Sequence, residues 1–264
     1  MKSTLPTLNL RPASARRDRG PNRSRQCRGF TLIEMLVVIG IIVVVLGIAL
    51  PNMRGLHEGH ELESAARQLV ADLSLARSRA INNRATVVVA FIPPEILGYS
   101  DPAPDAESQI RQLQAGIFTQ YALFTPHRVG DQPGCSTPRY LTRWVSLPDK
   151  TFIATNTFAD GDPYAFFKVS LPFPAATNGV KPVRCVAFNF EGRPCQPDGS
   201  PLPTSQNITI PLARGGILYT RNPDSTVADF MAQETPAFNS VSNYHHIVID
   251  WLSGQARLER QEVQ

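Results

Sequence analysis

Residues 30–50 form a run of 21 residues with a single ionisable side chain, Glu34. At 1.5 Å rise per residue a helix of that length is about 31 Å long, the thickness of a bilayer's hydrocarbon core. A soluble core seldom covers a helix that is apolar on every face, so the run reads as a membrane-spanning helix. Glu34 is the exception within it. A carboxylate deep in a bilayer costs on the order of 2.5–3.5 kcal/mol. One turn into the span, it either reaches back to the headgroups or is held for a cationic partner.

The flank before the run sets its orientation. Residues 1–29 carry eight Lys/Arg and one acid, Asp18, a net of +7, against +4 for the whole chain; the remainder is therefore −3. The basic balance belongs to this leader and does not point to nucleic acid. A basic flank stays cytoplasmic, so the following domain is expected to be exported. The leader, rich in Arg, Pro and Ser, lacks apolar periodicity and is expected to be unordered. A secretory signal peptide fits less well, because the apolar run is too long and no small-x-small cleavage site follows it.

Beyond the span the pattern stays helical and becomes two-sided. Leu62, Ala66, Leu69, Leu73, Ala76 and Ala80 recur at alternating steps of four and three, one face of a helix. Glu63, Arg67, Asp72, Arg77 and Arg84 fall off that stripe, which is expected to lie on a sheet. Asn82 and Asn83 are the expected stop, because Asn tolerates the left-handed conformation. Pro51, Gly55 and Gly59 are the expected points of bending. Residues 86–92 are rich in β-branched side chains and read as the first strand, ended by Pro93 and Pro94. A short helix is expected at 106–114. Strands follow at 117–124, 140–147, 151–155, 165–171, 184–190, 207–211 and 216–219, with a short polar helix near 224–233. The chain closes with 246–251, a Ser253-Gly254 turn and 255–260, a hairpin. The expected class is α+β, with a long N-terminal helix packed on an antiparallel β-sheet head. Its parts are a leader (1–29), a transmembrane helix (30–50), its amphipathic continuation (51–84) and a β-rich head (85–264).

Side-chain constellations suggest no reaction. His57-Glu58-Gly59-His60 has one residue too few between Glu58 and His60 for a zincin motif. His245 and His246 are adjacent in a strand and face opposite sides. Asp160-Gly161-Asp162 offers carboxylates to calcium, but a turn is the simpler reading. No nucleophile elbow, phosphate loop or dinucleotide fingerprint is present, so no catalytic residue, metal or cofactor is expected. Of four cysteines, Cys27 lies in the leader. Cys185 and Cys195 flank Gly192-Arg193-Pro194 at a spacing compatible with a disulfide, for which Cys135 could compete.

Gly29-Phe30-Thr31-Leu32-Ile33-Glu34, between a basic leader and an apolar span, resembles the processing site of type IV prepilins and type II secretion pseudopilins. Three further pieces resemble the GspH/FimT minor pseudopilin group. They are Ala76-Arg77-Ser78-Arg79-Ala80-Ile81 before the first strand, the Phe188 to Pro194 segment with its Gly192-Arg193 turn, and Ile247-Val248-Ile249-Asp250 with Ser253-Gly254-Gln255. The resemblance implies a pilin-like fold and a prepilin peptidase cut between Gly29 and Phe30. It implies N-methylation of Phe30 and a pairing of Glu34 with the N-terminal amine of a neighbouring subunit. Pro51 takes the place where the family's long helix often bends. Gly29 suits the scissile bond, because a residue without a side chain lets the backbone enter a narrow site.

The expected protein is a non-enzymatic minor pilin or pseudopilin of a type II secretion pseudopilus, in the cell inner membrane with its head periplasmic. Its implied partners are other pilin-like subunits, the prepilin peptidase and an inner-membrane assembly platform. The alternative is a FimT-like minor subunit of a type IV pilus that binds DNA or surfaces, with Arg257 and Arg260, and further off Arg214 and Arg221, as the contributors. The net acidic remainder, with Asp250, Glu259 and Glu262 nearby, disfavours nucleic acid. A membrane-anchored enzyme is the third class.

Overall fold

Thr31 is the N-cap of the first helix, α1 (Leu32–Asn83): its Oγ1 accepts the Glu34 amide at 3.3 Å. Thr31-Leu32-Ile33-Glu34 thus supplies the threonine half of a capping box. At the other end the Arg84 amide bonds Ile81 O at 3.3 Å and the Ala85 amide bonds Ala80 O at 3.2 Å. That is a Schellman closure, and its left-handed residue is Arg84 at φ +49 rather than the expected Asn82 or Asn83.

This computed structural model describes residues 31–127, 130–131, 137–162, 164–223, 226–242 and 245–260, without the side chains of 48–60. The leader with Cys27, the Gly29–Phe30 bond, Cys135, and the side chains of Pro51, His57, Glu58 and His60 lie outside the described residues. The chain divides into two compact units, one ending at Pro51 and one beginning at Asn52.

The second unit holds two antiparallel sheets. The first contains β1 (Val87–Phe91), β2 (Gln120–Thr125), β3 (Arg139–Tyr140), β4 (Val145–Ser146), β6 (Phe167–Pro172), β7 (Val180–Phe188) and β8 (Pro194–Cys195). Its order is β3-β2-β1-β7-β6, with β4 also on β2 and β8 on β7. The second contains β5 (Thr151–Ile153), β9 (Ile208–Arg221), β10 (Val227–Glu234), β11 (His245–Ile249) and β12 (Ala256–Arg260). Here the order is β10-β9-β11-β12, with β5 also on β9. Two short helices, α2 (Pro104–Leu113) and α3 (Asn239–Ser242), sit in the connections. The class is α+β, as the sequence leads one to expect.

Three expectations about elements are corrected. The helix expected near 224–233 is strand β10. Phe230, Ala232 and Glu234 are half-buried while Asp229, Met231 and Gln233 are exposed, a period of two that pairing with β9 enforces over helix propensity. The two strands expected at 207–211 and 216–219 are one, β9, in which Gly215 and Gly216 pair with Glu234 and Gln233 instead of turning. The strand expected at 140–147 is two short pieces, β3 and β4, each on β2.

The apolar stripe of α1 does what its spacing requires. Leu62, Ala65, Ala66, Leu69, Leu73, Ala76 and Ala80 are all buried, in one core with Phe91, Tyr121, Phe188 and Ile247. Polar bonds then tie the helix to the strands and loops around it. Arg79 Nη1 donates to Leu141 O at 3.1 Å, and Gln68 Nε2 donates to Tyr121 Oη at 3.1 Å and Ser146 O at 2.9 Å. The fully buried Tyr121 donates in turn to Asp72, and its burial pushes the phenol well above its usual range. Tyr121→Phe removes that hydroxyl from two partners. It is expected to lower stability by about 1–2 kcal/mol in a denaturant titration, because Asp72 and Gln68 each lose a bond that water replaces poorly.

Candidate functional site

Two places collect residues whose arrangement the fold does not need for its own core, and the first is the start of α1. Its large apolar side chains from Leu32 to Leu46 are all exposed, by 42 to 85%. A helix apolar all round needs another apolar phase or other helices to cover it. Among the described residues no helix is long and apolar enough to cross a membrane; the described side chains of this run stop at Gly47. Glu34 is also exposed, and its backbone amide rather than its carboxylate is engaged by Thr31. The Thr-x-x-Glu spacing could have shown that cap in the sequence.

The second is a joint at the C-terminal end of α1. The single Nε–H of Arg77 donates to Gly192 O at 3.1 Å and to Ser253 O at 2.9 Å. Gly192 lies in the turn between β7 and β8, and Ser253 in the turn between β11 and β12. Both glycines are left-handed, Gly192 at φ +78 and Gly254 at φ +69. A Cβ on Gly254 would lie 1.9 Å from Gly192 O, and one on Gly192 would lie 2.6 Å from Ile81 Cδ1. The three sequence pieces around Arg77, Gly192 and Gly254 thus meet at one point. Read one by one, they gave no sign of it.

The remaining candidates disperse. Arg257 and Arg260 are three residues apart in β12 and so face opposite sides. Arg257 is held by Glu259 at 2.7 Å, and Arg260 by Glu63 at 2.8 Å. Glu63 also takes Arg67, and the two guanidinium groups hold its carboxyl below the usual range. Arg257 and Arg260 form no shared cationic patch. Asp160 pairs with Arg184 at 2.8 Å, while Asp162 accepts the Tyr164 amide at 2.9 Å as a turn residue does. His246 Nε2 lies 3.1 Å from Ser240 O. Among the described residues no three His, Cys, Asp or Glu side chains converge to hold a metal.

The disulfide that the spacing of Cys185 and Cys195 allows is not formed in this structure: both thiols are free and buried. Register explains it. In the β7–β8 ladder Cys195 stands opposite Ala187, two residues from Cys185, so the thiols are diagonal rather than direct neighbours. Burial pushes the Cys195 thiol up to about 12, with the Asp198 carboxylate adding to it, and pushes Cys185 higher still. Neither is a reactive thiolate at neutral pH.

Comparison with known proteins bears on the N-terminal segment. The prokaryotic N-terminal methylation motif matches residues 24–50. Over 72 residues the chain is 43% identical to the pilin-like protein PilA1 of Thermus thermophilus, a match that covers 27% of this chain and 45% of that protein. The chain therefore spans less than half the length of the curated relative it matches. No solved structure matches it.

Proposed function

We propose that this chain, whose residues 24–50 match the prokaryotic N-terminal methylation motif, is a type IV prepilin-like protein and a minor pseudopilin of a type II secretion system. It enters the inner membrane with its basic leader cytoplasmic and its head periplasmic. A prepilin peptidase cuts between Gly29 and Phe30, and the new Phe30 amine is methylated. The apolar side chains behind it first lie in the bilayer and then pack against other pilin-like subunits on an inner-membrane assembly platform. In that bundle Glu34 takes the N-terminal amine of a neighbour, where a charge pair is worth far more than in water. Its cap supports this role, since Thr31 binds the Glu34 amide and leaves the carboxylate exposed. The carrying observation is the exposed all-apolar run directly behind the Gly-Phe-Thr-Leu-Ile-Glu motif.

The second reading is a minor subunit of a type IV pilus, favoured by the pilin-like relative. Its DNA-binding version is weakened by the ion pairs that occupy Arg257 and Arg260.

Co-expression with a prepilin peptidase tests the reading. The expected product begins at methylated Phe30 by intact mass and N-terminal sequencing, and Gly29→Glu abolishes the cut. An uncut chain, or a cut elsewhere, would reduce the run to a plain anchor and remove the pilin-like assembly.

A further inference from the structure

One side of β9 is left unpaired over the second half of the strand. The direction of its backbone groups shows which side. The Arg214 amide donates to Asn239 Oδ1 at 2.8 Å and the Arg214 carbonyl accepts the Thr235 amide at 2.8 Å, both just beyond β10. After the strand the Asn222 amide donates to Thr226 O at 2.8 Å, again toward β10. In an extended strand successive residues turn their N–H and C=O to alternate sides. Gly216, Leu218 and Thr220 therefore face β10, with which residues 215–221 pair, while Gly215, Ile217 and Tyr219 face the other way. The Gly215 amide agrees, donating to Lys150 O at 2.9 Å beside β5.

On that other side β5 pairs only with Leu212, Ala213 and Arg214. Continued in register, it would put Pro148 opposite Ile217, and proline brings no N–H to a ladder. Lys150, at φ +60, instead turns the chain out of the lane. The segment before it belongs to β2: Leu147 N donates to Thr119 O at 2.8 Å, and Val145 and Ser146 form β4. Ile217 and Tyr219 thus have no strand opposite their outward amides and carbonyls among the described residues. The vacated lane is a cleft of about 270 Å³, lined by Gly216, Ile217 and Tyr219 of β9 and by Ala115, Thr119 and Ser146. Tyr219 Oη donates to Ala115 O at 2.9 Å and ties the two sets together. Nothing lies within 4 Å of where a Cβ on Gly216 would stand, so the backbone is open to approach. A bare strand edge is usually blunted by charge, proline or a bulge. Residues 216–220 carry no charge and no proline.

We infer that this cleft takes an extended peptide segment of another polypeptide, which adds to β9 in the lane that β5 leaves. Main-chain donors and acceptors at a strand's spacing recognise an extended backbone, and side chains then refine the choice. A volume below the roughly 300–1,000 Å³ of a drug-sized site suits a few residues of such a segment. The residues lining the cleft opposite β9 leave room for one strand and exclude the edge of a second folded sheet. Alternate side chains of the segment lie on the face of Ile217 and Tyr219, and the others on the exposed face of Leu218. The cleft lies wholly in the second unit, so the inference stands apart from the membrane and assembly reading above.

The test follows amide hydrogen exchange by NMR on the full chain in detergent micelles. The probe is a short peptide of alternating threonine and valine, blocked at both ends. Its control is the same peptide with every backbone nitrogen methylated, which cannot pair. Ala232, opposite Ile217 in β10, turns its amide to the outer edge of the ribbon and serves as the internal reference. With millimolar probe, exchange at Ile217 and Tyr219 is expected to slow roughly fivefold or more, with Ala232 unchanged and the methylated peptide inert. Equal slowing at Ala232 overturns the inference, because any free edge then suffices. Unchanged exchange at Ile217 and Tyr219 in the folded chain also overturns it, since water alone then serves that edge. Slow exchange there before peptide is added overturns it as well, because the lane is then already filled by this chain or by a second copy.

Discussion

Gly254→Ala is expected to lower the stability of the second unit by about 3 kcal/mol or more, a large effect for one methyl group. Two costs add. The residue stands at φ +69, where a side chain costs roughly 1–2 kcal/mol. The added Cβ also falls 1.9 Å from Gly192 O, a backbone atom that cannot rotate away. Relieving the clash separates the β7–β8 and β11–β12 turns, and the Arg77 Nε–H then loses one of its two carbonyls. Ser253→Ala is the control, since Arg77 uses the Ser253 carbonyl and not its side chain; it loses only the bonds its hydroxyl makes with the Gln255 amide and the Asp250 carboxyl and is expected to cost about 1 kcal/mol. Urea unfolding of the full chain in detergent, followed by near-ultraviolet circular dichroism, separates the two. Equal midpoints for both variants would mean that the joint is ornamental.

That joint marks the limit of what local pattern could show. The stripe from Leu62 to Ala80 was legible because burial on a sheet imposes a helical period on apolar residues, and β1 was legible from its β-branched run. Arg77 lies off the stripe, and its partners are backbone carbonyls 115 and 176 positions away. A contact between a guanidinium and a carbonyl leaves no periodicity in either segment. Strand β10 was misread for a related reason. Its alternation of Phe230 and Ala232 with Met231 and Gln233 is weak until the pairing with β9 is known. The cysteines failed on register, which a spacing of ten cannot reveal, because one bulge or turn residue decides which pair is opposite. At the N-terminal segment the reverse holds. A six-residue motif and an apolar run carry most of the functional reading, and the structure adds the Thr31 cap and the exposure of the apolar side chains behind it.

The second large effect is expected at Arg184, which local pattern also leaves unmarked. It stands on β7, 3% exposed, with Nη1 2.8 Å from Asp160 Oδ1 and Nη2 3.4 Å from Glu95 Oε1. A charge buried so deeply persists only because both carboxylates face it. Arg184→Leu keeps the volume apolar but strands Glu95, whose Oε2 already lacks a partner among the described residues. The expected loss is about 2–3 kcal/mol, below that of a fully buried pair because both carboxylates are partly or largely exposed. Adding Glu95→Gln to Arg184→Leu is expected to recover part of that loss, since the stranded charge is then gone. The pH dependence runs in one direction. Arg184 holds the Asp160 carboxyl below the usual carboxylate range, so the unfolded chain takes up that proton first. The stabilisation is present above the unfolded carboxylate's pKa of about 4 and is lost as pH falls through the lower folded value. Wild type and Asp160→Asn should therefore differ at neutral pH and converge in acid. A difference that persists unchanged into acid would show that Asp160 holds Arg184 by shape and hydrogen bonding and not by charge.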